Sequence, residues 1–139
     1  MNTTSPAPGL AALGLVSIVL ILGGCTAYDA AAHGSVETNF TNATEFAREH
    51  SGIASWLPAD AQAITAVDST RAENTMTVRY DSATEPEGCE AVPRTSSPTM
   101  DVESDIDVYS IDSVLLCDDW AIAHEGNQWL AWTPATEAE

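Results

Sequence analysis

Residues 113–132 read SVLLCDDWAIAHEGNQWLAW, and their reading decides the fold. Val114, Leu115 and Leu116 make Ser113 to Cys117 a candidate buried strand. Trp120, Ile122 and His124 then fall on alternate positions, the period of a strand with one face inward. Gly126-Asn127 is a hairpin turn signal, and Gln128 to Trp132 pairs back on the preceding strand. Trp120 and Trp129 are placed to meet across that hairpin, where an aromatic pair adds ~0.5–1.5 kcal/mol beyond its area. Pro134 closes the fold.

Upstream, the same period continues. Met76, Val78 and Tyr80 alternate with Thr77 and Arg79, and Ile64 to Asp68 makes a shorter strand, with Ser69 to Asn74 as the connecting loop. A helix is predicted to start at Asn42, which caps it, with Glu45 three residues on in a capping-box pattern. Phe46, His50, Ile53, Ala54 and Leu57 share one helical face, Gly52 weakens the middle, and Pro58 stops the helix. Residues 81–99 hold three prolines among Ser, Thr and Glu and read as a long loop pinned at Cys89. The expected fold is therefore α+β: one N-terminal helix packed on an antiparallel sheet of about five strands, stapled by one disulfide.

Charge narrows the partners. Four basic residues against twenty-one acids leave a net charge of −17, and none of the charged residues lies in residues 1–24. Such a surface repels polyanions, so nucleic acid is excluded as a partner.

Ahead of the domain, residues 10–22 read LAALGLVSIVLIL, an uncharged apolar run followed by Gly23, Gly24 and Cys25. A run of that length ending in small residues has the pattern of a secretory signal peptide. Leu22-Gly23-Gly24-Cys25 resembles the lipobox of bacterial lipoproteins. That resemblance implies that residues 1–24 are removed and that Cys25 carries a diacylglyceryl group at the new N-terminus. Two buried acyl chains hold a protein to a membrane, where one is marginal. Residues 1–9 contain no Lys or Arg, so an uncleaved anchor from about Ala7 to Ala27 stays open beside cleavage. Either way the chain is placed on the extracytoplasmic face of a cell membrane. The absence of lysine, the abundant alanine and Thr26 after the cysteine point to a single-membrane bacterium with a GC-rich genome.

The organisation expected is a leader over 1–24, a lipid-proximal tether over 25–40, one domain over 41–134 and a frayed acidic tail over 135–139. With Cys25 assigned to lipid, Cys89 and Cys117 remain, and outside the cytoplasm two remaining thiols form a disulfide. Closing a loop of about 28 residues contributes ~3.5 kcal/mol on the chain-entropy account.

Chemistry-bearing motifs are sparse. Asp101, Glu103, Asp105 and Asp107 lie on one side of an alternating segment and form a candidate weak cation face. With Asp112 their spacing is similar to an EF-hand calcium loop, but Glu103, Ile106 and Asp112 depart from it and no flanking helices are expected. His33, His50 and His124 are scattered without ligand spacing, so no metal site, catalytic set or cofactor is assigned. Trp129 and Trp132 are the candidate ligand edge, weighed against plain core packing.

Trp56-Leu57-Pro58, Arg94-Thr95-Ser96-Ser97-Pro98, Cys117-Asp118-Asp119-Trp120 and Trp129 with Trp132-Thr133-Pro134 together make residues 54–134 similar to uncharacterised small exported proteins of high-GC single-membrane bacteria. That resemblance implies no activity. The expected role is a non-enzymatic, lipid-anchored surface module that binds a protein or cell-wall component. The alternatives are a small envelope hydrolase using Asp/Glu and a cation-responsive module.

Overall fold

Seven strands in one antiparallel sheet make up most of the computed structural model, which describes residues 32–53 and 55–138. They are β1 (Ser35–Asn42), β2 (Gln62–Ser69), β3 (Met76–Asp81), β4 (Glu90–Pro93), β5 (Ser113–Cys117), β6 (Trp120–Glu125) and β7 (Gln128–Thr133). Across the sheet the order is β1-β2-β3-β7-β6-β5-β4. Two meanders are thus joined at the centre by the β3–β7 pair, where Val78 lies opposite Ala131. The α+β expectation is overturned: the described chain is mostly β, with seven strands rather than about five.

The helix is shorter than its apolar period suggests. α1 (Ala43–Glu49) has seven residues. Asn42 caps it as expected, accepting from Glu45 N at 3.1 Å, while Glu45 Oε2 reaches back to Thr41 N at 2.8 Å. The chain leaves the helix at His50. Gly52 lies at φ +79, a conformation that favours glycine, and Ile53 turns outward with 46% exposure. The apolar stripe drawn through Ile53 is therefore broken where the helix ends at His50, and Ala54, also on that stripe, lies outside the described residues.

Both faces of the sheet are covered, by different segments. On the first face α1 with Trp56, Leu57 and Ala61 closes over Phe40, Ile64, Val78, Tyr80, Ile122 and Trp129. Phe46 inserts here, 1% exposed, with its ring edge-on to Phe40 at 5.3 Å. Burial of such a side chain is worth ~1.5–3 kcal/mol. On the second face the segment 94–112 covers Val114, Ala121, Leu130 and Trp132 with Ile106 and Val108.

That covering segment is held at three places. Arg94 Nε donates to Ile111 O at 2.8 Å and Nη1 to Ser96 O at 2.9 Å. Glu137 accepts from Thr95 N, Ser96 N and Ser96 Oγ, at 2.8, 2.8 and 2.5 Å, and Ser96 Oγ accepts from Trp132 Nε1 at 2.8 Å. Gln128 Oε1 accepts from Ser104 Oγ and Asp105 N, at 3.0 and 2.9 Å. Glu137 lies in a 3-10 turn, Thr136–Ala138, and Ala135 is buried. The segment expected to be a frayed tail is thus folded back as a clamp as far as Ala138.

The Cys89–Cys117 disulfide is present, with Cα atoms 4.6 Å apart. Glu90 pairs with Leu116, so the two cysteines continue the β4–β5 ladder by one register step. A separation near 4.5 Å belongs to the non-hydrogen-bonded position of such a ladder. The count of remaining cysteines and the expected compartment say that a bridge forms; the register says that it fastens an edge strand.

Candidate functional site

A groove of about 400 Å³ opens on the second face, where the 94–112 cover stops short of β1 and β2. Strand alternation builds its floor: Glu37 and Asn39 on β1, Thr65 on β2 and Arg79 on β3 all point to this side. Glu103 and Asp105 supply the far rim, fixed by the Gln128 amide. Thr65 Oγ1 donates to Asn39 Oδ1 at 2.8 Å, which orients the Asn39 amide.

Arg79 is the one cation among the described residues that line the groove. A β-bulge between Gln62 and Thr65 leaves Ala63 at φ +49, and the Ala63 carbonyl accepts from Arg79 Nη1 at 3.3 Å. Nη2 meets Asp81 at 3.5 Å, and Nε is buried without a hydrogen-bond partner. Glu37, Glu103 and Asp105 surround the guanidinium with acceptors. Such a lining suits a polar or cationic ligand that accepts one guanidinium bond and donates several.

The residues singled out from sequence fall in different places. Trp129 and Trp132 are 4% and 1% exposed and lie on opposite faces of the sheet, so they share no edge. Trp129 Nε1 donates to Ser82 O and Trp132 Nε1 to Ser96 Oγ, which satisfies both indole N–H groups. Trp120 does not meet Trp129 either. Trp129 sits opposite His124 and stacks on it at 4.5 Å, whereas Trp120 packs on Trp56 at 5.1 Å.

Asp101, Glu103, Asp105 and Asp107 do alternate outward with Val102, Ser104, Ile106 and Val108 inward. Among the described residues the segment pairs with no strand, however, and its acids diverge. Glu103 and Asp105 rim the groove, Asp101 lines a separate cleft beside Met100, and Asp107 Oδ1 caps Tyr109 N at 3.1 Å. Among the described residues no three His, Cys, Asp or Glu side chains converge on a common metal position. Cys25 and the leader lie outside the described residues, and no described helix is long and apolar enough to cross a membrane.

Three groups on the first face have shifted protonation equilibria. Burial pushes the Tyr80 hydroxyl far up, and the nearby Asp60 charge adds to this, so it stays protonated. Asp60 is held below the usual carboxylate range, chiefly by the Ser82 hydroxyl that donates to it at 2.7 Å. Burial raises Asp68, and the charge of His50 partly offsets this.

No protein-family model matches this sequence, and neither a curated protein nor a solved structure matches it. The class that the fold defines is an open seven-stranded antiparallel sheet, covered on both faces and stapled at one edge. Of the groove residues, Glu103 and Asp105 were read in the sequence as part of an acidic face, while Glu37, Asn39, Thr65 and Arg79 were missed because they are ordinary outward positions of strands. One signal was present: Arg79 is one of only four cations in a chain of net charge −17, and it sits mid-strand.

Proposed function

We propose that this protein is a lipid-anchored extracytoplasmic binding module, non-enzymatic, that takes a protein or cell-wall partner on the exposed part of its sheet. The reading rests on Leu22-Gly23-Gly24-Cys25 behind an uncharged apolar run. The disulfide supports it, since such bridges persist in oxidising compartments.

The observation that carries the proposal is how soon the sheet follows Cys25. β1 already begins at Ser35, inside the segment expected to be tether. Even fully extended, residues 26–34 span no more than ~30 Å. A domain anchored at Cys25 would stay within that reach of the bilayer, where partners in the membrane or inner wall are met. The net charge of −17 would keep its body away from anionic headgroups.

The test is Cys25→Ala in the native host, with membrane fractionation and mass spectrometry of the N-terminal peptide. The expected result is a diacylated Cys25 in the parent, and release or precursor accumulation in the variant. An unmodified Cys25 in the mature parent protein refutes the anchor.

A further inference from the structure

The two edges of the sheet are not alike. β4 has four residues, ends in Pro93 and is stapled to β5, features that blunt an edge against added strands. β1 has eight residues, no proline and one charged side chain, Glu37. Among the described residues β1 pairs with β2 alone. An edge of that length and regularity is a template for another strand.

Hydrogen bonds show which backbone groups face outward. Gly34 O accepts from Thr70 N at 2.9 Å, so the even-numbered positions turn inward to β2. Thr41 N donates away from β2, to Glu45 Oε2. By strand alternation the backbone N–H and C=O of Ser35, Glu37 and Asn39 point off the edge of the sheet.

Clefts flank this edge on both sides. The groove bordered by Glu37 and Asn39 lies on one side. On the other, Thr38 and Phe40 border a cleft of about 230 Å³ with Glu45, Arg48 and Glu49 of α1. A strand laid along β1 would place successive side chains alternately over the two. Strand addition works in that way: main-chain bonds supply affinity, and alternate side chains supply specificity.

The structure assigns the free edge of β1 as a docking site for an extended, basic segment of a protein partner, bound by strand addition. Charge selects the occupant: Glu37, Glu45, Glu49, Glu103 and Asp105 outnumber Arg48 and Arg79 along the two clefts, on a chain of net charge −17. The same charge opposes a second copy of this chain at the edge. The inference deepens the binding role proposed above by naming where the partner sits and its chemistry, and it does not depend on the lipid.

The test uses the full chain purified from whole cells in mild detergent, parent and Cys25→Ala alike. The probe is a blocked peptide of alternating lysine and valine, as long as β1, measured by fluorescence anisotropy. Expected are binding by the basic peptide and weakening of about tenfold when glutamate replaces its lysines. Methylating its backbone nitrogens along one edge should weaken binding about tenfold, while methylation along the other edge is tolerated. Glu37→Lys with Glu49→Lys should reverse the preference between the two peptides. In the complex, amide exchange should slow at Ser35, Glu37 and Asn39.

No binding by the basic peptide overturns the proposal. So does equal binding by the acidic one, indifference to methylation on both edges, or unchanged exchange along β1. Self-association that protects the same amides, or protection by a wall oligosaccharide alone, assigns the edge to another occupant and also overturns it. Cys25→Ala must bind the peptide as the parent does. A failed edge and a failed anchor therefore give separate results.

Discussion

Ser96→Ala removes one oxygen that joins the cover of the second face to its core. In the parent, Ser96 Oγ accepts from Trp132 Nε1 at 2.8 Å and donates to Glu137 Oε2 at 2.5 Å. Trp132 is 1% exposed, so the substitution strands an indole N–H in a place that a new partner cannot easily reach. An orphaned buried donor costs ~1–3 kcal/mol. The lost hydroxyl–carboxylate bond adds about 1 kcal/mol, kept low because Glu137 is only part-buried and retains its two backbone donors. The total is ~2–4 kcal/mol. At a urea m-value of about 2 kcal/mol/M, the unfolding midpoint should fall by ~1–2 M.

Tryptophan fluorescence during urea unfolding is the assay. A midpoint change below about 0.3 M, which is well under 1 kcal/mol, refutes the clamp. Trp132→Phe in the Ser96→Ala background removes the orphan, so the double variant should lose less than the sum of the singles by about 1 kcal/mol. pH supplies a second axis. Burial raises Glu137, but the bonds from the Ser96 hydroxyl and the Ser96 and Thr95 amides outweigh it, so its folded value lies below its unfolded one. The unfolded chain binds the proton more readily, and the clamp's contribution is therefore present above the unfolded value. It is lost as pH falls through the folded value. The difference between parent and Ser96→Ala should shrink in that acid window and hold steady from there to neutrality.

Cys89→Ser with Cys117→Ser should lower stability by ~3.5 kcal/mol on the chain-entropy account, read by calorimetry. Amide exchange should rise first in β4, which has four register pairs besides the bridge; uniform loss across the sheet would contradict the edge-staple reading. Asn42→Ala removes the acceptor for Glu45 N and should cost ~1 kcal/mol in chemical denaturation. Gly34→Ala meets two obstacles, a φ of +71 and the Arg71 Nε atom 2.6 Å from the new methyl, and should destabilise by ~1–2 kcal/mol. Asp68 has the opposite sign to Glu137. Burial raises its folded value, so its contribution is present below the unfolded value and lost as pH rises through the folded one. Asp68→Asn should remove that slope from a pH–stability curve.

Which elements were legible in the sequence follows from what each strand buries. β3, β6 and β7 lie inside the sheet, and Met76, Val78, Tyr80, Trp120, Ile122 and Trp129 alternate because the first face is packed over all of them. β5 carries its own apolar run. β1 has an edge and one strongly buried residue, Phe40, so a period of two had almost nothing to register on, and its small polar residues read as tether. β4 is four residues inside a proline-rich stretch and buries none of them fully; its register with β5 and the cysteine bridge hold it, and neither pairing is written in a local pattern.

The candidate sites diverged for a related reason. Trp129 and Trp132 are three apart in a strand, so alternation sends them to opposite faces, and no shared edge could follow once the hairpin was accepted. The acids from Asp101 to Asp107 alternate as read, yet alternation without a pairing partner places carboxylates without converging them. Groove and edge instead draw on Glu37, Asn39, Thr65 and Arg79, residues brought together only by the β1-β2-β3 register. None is unusual beside its sequence neighbours. What distinguishes them is that the cover of the second face ends at Glu103 and Asp105, leaving these strands to meet whatever comes to the sheet.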